Sequence, residues 1–98
     1  MADMRCFFSP LAETDLEEIA DYIARDNSRR ALSFVGEIRE RCKKIEAFPE
    51  AAPLHSEYGE GVRVIPFGRY LIFYTVQPEE IRIERILSAW RNLPEAFG

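Results

Sequence analysis

Residues 61–91 constrain this chain most. They hold three runs rich in β-branched and aromatic residues, at 62–65, 70–76 and 81–87. Pro66-Phe67-Gly68 and Gln77-Pro78-Glu79-Glu80 separate the runs. Short apolar runs punctuated by Pro and Gly read as strands of a meander, and tight turns make neighbouring strands antiparallel. Three strands with an apolar face are not stable alone in water, so the preceding 60 residues must cover that face.

Those residues supply the cover. Residues 4–8 read as a short first strand. Ser9-Pro10 then marks a helix start: Ser accepts free N–H groups at an N-cap, and Pro at the first position loses no bond. Ala12, Leu16, Ile19, Ala20 and Ile23 fall at helical spacing, and Glu13, Asp15 and Glu17 suit the positive helix end. After a turn at Asp26-Asn27-Ser28, a second stripe runs through Ala31, Phe34, Val35, Ile38, Cys42, Ile45 and Phe48 until Pro49 stops it. Gly36 weakens that helix by ~1 kcal/mol relative to Ala and suggests close helix–helix approach. The brief turn makes the helices an antiparallel hairpin. The expectation is one α+β domain over 1–98, ordered β-α-α-β-β-β, with the hairpin packed on an antiparallel sheet. Residues 50–60 read as a polar loop, and Phe97 is expected to fold back onto the body. The last strand holds one conflict. Strict alternation puts Arg85 in phase with Ile81 and Ile83, so either a bulge shifts the register or Arg85 lies at the strand end. Leu87 keeps the isoleucine phase, which favours the strand end.

Composition narrows function. The chain is 98 residues long, 47% apolar and 31% charged, which suits one soluble globular domain. No apolar run nears the roughly 20 residues that span a bilayer, and no signal-peptide core is present, so a cytoplasmic protein without membrane contact is expected. Net charge is −4, which argues against direct nucleic-acid binding. Charge is unevenly spread. Residues 1–21 carry Asp3, Glu13, Asp15, Glu17, Glu18 and Asp21 against Arg5, whereas 61–91 carry Arg63, Arg69, Arg82, Arg85 and Arg91 against Glu79, Glu80 and Glu84. Cys6 and Cys42 read as reduced, half-buried thiols, and His55 as a solvated loop residue. No glycine-rich phosphate loop, nucleophile–histidine pair or metal motif is evident, so neither cofactor nor metal is expected. The arginines either grip phosphates or partner carboxylates, or are ordinary strand-surface residues. Trp90 beside Arg91 favours an interaction surface, since exposed Trp and Arg are enriched at hot spots.

Three stretches in order carry a resemblance. The segment at 9–23, Ser-Pro-Leu-Ala-Glu-Thr-Asp-Leu-Glu-Glu-Ile-Ala-Asp-Tyr-Ile, resembles the opening of ParE-type toxins of bacterial type II toxin–antitoxin systems. Phe67-Gly68-Arg69-Tyr70-Leu71-Ile72-Phe73-Tyr74 resembles that family's central strand, and Ile83-Glu84-Arg85-Ile86-Leu87 its last one. The ending departs, with Ser88 where the family usually has His. The superfamily includes RelE-like ribosome-dependent messenger ribonucleases as well as ParE-like inhibitors of DNA gyrase. Here Phe97 stands where a RelE-like catalytic Tyr would sit, and Leu71 where a basic residue often sits. A phenyl ring exchanges no proton. The resemblance therefore implies a plasmid-stabilisation type of toxin that binds gyrase, has no chemistry of its own, and forms a hetero-complex with a cognate antitoxin protein. Arg85, Trp90 and Arg91 are the expected target contacts, and Tyr22 and Phe48 the expected antitoxin contacts. A RelE-like ribonuclease, or a detoxified member kept as antitoxin partner and co-repressor, are the alternatives.

Overall fold

The computed structural model describes residues 4–90. Strand β1 (Arg5–Phe8) leads into helix α1 (Pro10–Ala24), then α2 (Ser28–Ala47), and then β2 (Arg63–Phe67), β3 (Tyr70–Val76) and β4 (Glu80–Ser88). One four-stranded sheet results, in the order β1-β4-β3-β2. The meander is antiparallel, while β1 pairs in parallel with β4, Cys6 opposite Ile81 and Phe8 opposite Ile83. The fold is the expected α+β order, and the chain's first strand and last strand are neighbours. Among the described residues no helix is long and apolar enough to cross a membrane.

Local chemistry explains the element ends. Ser9 is the N-cap of α1, its Oγ accepting from the Ala12 N–H at 3.0 Å, with Pro10 in the first turn. Asn27 caps α2 through its side-chain oxygen, which accepts from the Arg30 N–H at 3.0 Å. Pro66 lies in the outer strand β2, where a residue without an N–H costs the ladder least. At the other edge the Glu46 carboxylate accepts the Cys6 N–H at 2.8 Å, so α2 caps a donor of β1.

The helices cover one sheet face. Ala12, Leu16, Phe34, Ile38 and Ile45 pack against Ile72, Tyr74, Ile81, Ile83 and Ile86, with Ile19, Ile23 and Val35 partly buried at the margin. A smaller cluster of Val62, Val64, Phe73 and Leu87 forms separately, with Tyr58 of the preceding loop packed on it. That loop contains one 3₁₀ turn, Ser56–Tyr58. Tyr74 lies at the sheet centre and its hydroxyl donates to the Pro49 carbonyl at 2.8 Å, tying the end of α2 to β3.

Two expectations need correction. Gly36 is exposed and a Cβ added there meets nothing within 4 Å, so it serves no close helix–helix approach. The conflict in the last strand resolves as a bulge. Phe73 pairs with Arg85 but Tyr74 with Ile83, leaving Glu84 as the extra residue. The slip keeps Ile81, Ile83 and Ile86 in the main core and moves Leu87 to the second cluster. Arg85 therefore does not lie beyond the core at a strand end.

Candidate functional site

The bulge shapes the molecule's functional end. A bulge disrupts the ladder and frees backbone groups that need other partners. Ser9 Oγ donates to the Glu84 carbonyl at 2.8 Å, and the Ile86 N–H donates to Asp15 Oδ2 at 3.0 Å. The same carboxylate takes a two-pronged contact from Arg85, Nε to Oδ2 at 2.8 Å and Nη2 to Oδ1 at 2.9 Å. Asp15 is only 6% exposed. The Arg85 guanidinium has its pKa raised, chiefly by this hydrogen bond, with burial opposing and the charges of Asp15 and Glu18 adding. A buried carboxylate with this many donors holds α1 at a fixed place on β4.

Beyond that clamp lies an open cleft of about 360 Å³ between α1 and the ends of β3 and β4. Ile19, Ile86 and Leu87 contribute its apolar surface, and Glu18, Tyr22, Arg69 and Trp90 also line it. Trp90 is 88% exposed and Tyr22 65%. The Ala89 N–H donates to the Arg69 carbonyl at 2.9 Å, so the turn carrying Trp90 is pinned to the β2–β3 turn. The Arg25 guanidinium lies 6.0 Å from the Tyr22 ring centre. Aromatic faces, aliphatic floor and a cation at the rim suit side chains of another protein.

The expected contacts divide. Tyr22 and Trp90 share this cleft. Arg85 is not among the residues that line it; its side chain is turned to Asp15, which is. Phe48 is elsewhere: 72% exposed, it lines a separate apolar groove with Met4, Pro49 and Val76. Tyr22 and Phe48 flank opposite ends of α2, whose 20 residues span about 30 Å. Arg91 and Phe97 lie outside the described residues. Leu71 is half-buried against the second cluster. His55 is also remote, its Nδ1 lying 3.3 Å from Glu57 Oε2. Glu57 is lowered, first by its own backbone N–H and then by His55. Among the described residues no cluster of three or more His, Cys, Asp or Glu could hold a metal ion.

Sequence reasoning gave Asp15 only a helix-end role. Its signal was present: Asp15 sits three residues after Ala12 and beside Leu16, inside the apolar stripe, just as Arg85 sits in the apolar phase of the last strand.

Comparison with known proteins fits this geometry. The family model for the ParE toxin of the type II toxin–antitoxin system, parDE, matches residues 6–93. The chain belongs to the ParE toxin family. A solved chain titled "Chromosomal ParDE TA system from P. aeruginosa" is similar at 25% identity and a TM-score of 0.74, over 88% of this chain and 96% of that one. No curated protein sequence matches. The match to the ParE model runs from within β1 to past Trp90, and so includes both halves of the Asp15–Arg85 clamp and the whole described cleft.

Proposed function

We propose that this ParE-family chain is a cytoplasmic toxin that inhibits DNA gyrase by stoichiometric binding and is neutralised by a cognate antitoxin protein. The observation that supports it is the exposed Trp90 on the rim of a cleft of mixed apolar and charged lining, beside the buried Asp15–Arg85 ion pair. Recognition of the target is assigned to Trp90 and Arg91, with Arg85 as a positioning residue that fixes the end of β4. The antitoxin is assigned to Tyr22 and to the Phe48 groove. Because Tyr22 and Trp90 line one cleft, an antitoxin segment lying over Tyr22 would also cover Trp90 and so occlude the target site.

The test pairs a gyrase supercoiling assay with a ribosome-dependent message-cleavage assay. Inhibition of supercoiling without cleavage is expected. Trp90→Ala should weaken inhibition at least tenfold, as removal of an interface hot spot costs about 2 kcal/mol or more, with an unchanged melting temperature. Cleavage of ribosome-bound message by the wild-type chain would replace this reading with the RelE-like one. Co-expression with the neighbouring gene product should restore growth and co-purify with the chain.

A further inference from the structure

Cys6 of β1 and Cys42 of α2 are 36 residues apart in sequence, yet they meet where the edge strand packs on the helix. The Cys6 thiol donates to the Cys42 carbonyl oxygen at 3.4 Å, which brings the two residues into direct contact. The Cys6 N–H is bound by Glu46, one turn further along α2, which fixes β1 against that helix face. Both thiols are free; Cys6 is half-buried and Cys42 is 5% exposed. Their ionisation is unequal. Cys6 is pushed well up, first by its hydrogen bond to Cys42, then by burial and the charges of Cys42 and Glu46. Cys42 is drawn down, chiefly by its interaction with the Cys6 side chain and further by Arg39, against burial and Glu46.

We propose that Cys6 and Cys42 form a reversible disulfide that fastens β1 to α2 when the protein meets a peroxide. The oxidant is small enough to reach a sulfur with little exposure. One of the two thiols ionises and attacks one peroxide oxygen, giving a sulfenic acid and hydroxide, which takes up the proton released on ionisation. The other thiol sulfur then attacks the sulfenic sulfur, its proton leaves with the hydroxyl group as water, and the S–S bond forms. Two thiols are oxidised, one peroxide is reduced, and two waters result. The bond would close a loop containing α1 and most of α2, and would secure an edge strand only four residues long. A thiol reductant reverses it.

The experiment treats the full chain with hydrogen peroxide, blocks remaining thiols with iodoacetamide, and reads intact mass, peptide map and melting temperature. The expected result is an intramolecular Cys6–Cys42 link and a melting temperature raised by roughly 10 °C. Dithiothreitol should abolish both, and Cys6→Ser and Cys42→Ala should each prevent them. Two alkylated cysteines, a sulfinic acid on either residue, or a disulfide between two chains would overturn the proposal. So would the internal link without a rise in melting temperature. None of these outcomes depends on the gyrase reading.

Discussion

Asp15 accepts from Arg85 twice and from the Ile86 N–H once, while nearly excluded from solvent. Removing such a carboxylate takes the two-pronged acceptor from a largely buried guanidinium and leaves a backbone N–H without its acceptor. Asp15→Ala should therefore cost about 3–5 kcal/mol, measured by urea unfolding. Replacing Asp15 and Arg85 together with apolar residues should cost much less than either single change, because no unpaired charge remains. Tyr74 works by burial instead. Its hydroxyl donates to Pro49, and desolvation raises its pKa above the ordinary value of 10.0, against opposing influences from Arg63 and the Ala52 backbone. The folded state thus holds the phenol proton more tightly than the unfolded chain. The resulting stability is complete below the unfolded value near pH 10 and is lost as pH rises through the folded one. Tyr74→Phe should cost about 1–2 kcal/mol at neutral pH and flatten the decline in stability above about pH 10.

The elements differ in how openly they are written. The start of α1 was legible because Ser9 and Pro10 act within one turn, and the start of α2 because Asn27 does the same. The meander was legible from alternation and turn residues. The bulge was legible only as one of two alternatives, because what decides it lies far away: Ser9 and Asp15 bind the groups it frees, 75 and 71 residues distant in sequence. Two charged residues, each misplaced in its own apolar pattern, were the trace that each could be the other's partner. The parallel pairing of β1 was equally hidden, since four residues carry no mark of strand order. The cleft was legible only in part. Trp90 stood out as an exposed aromatic, whereas its proximity to Tyr22 depends on where the clamp seats α1. Gly36 shows the reverse case, a local signal without a tertiary purpose. Its site is open and lies inside α2, so Gly36→Ala should raise stability by about 0.5–1 kcal/mol in thermal or urea unfolding.

At the scale of the molecule, β4 is central: it is hydrogen-bonded to β1 on one side and β3 on the other. Deleting residues 80–98 should therefore leave no cooperative unfolding transition by circular dichroism, because β1 loses the strand it pairs with and α1 its anchor. The same order has a meaning in time. A ribosome delivers the helical hairpin long before it delivers the strand on which that hairpin rests. Until Ile83 emerges, Phe8 has no neighbour to pair with, and until Ile86 emerges, Asp15 has no backbone donor to hold. Interrupted translation thus releases chains in which the Trp90 cleft has not been built, and a cell making this protein is exposed to its finished surface only at the end of each round of synthesis.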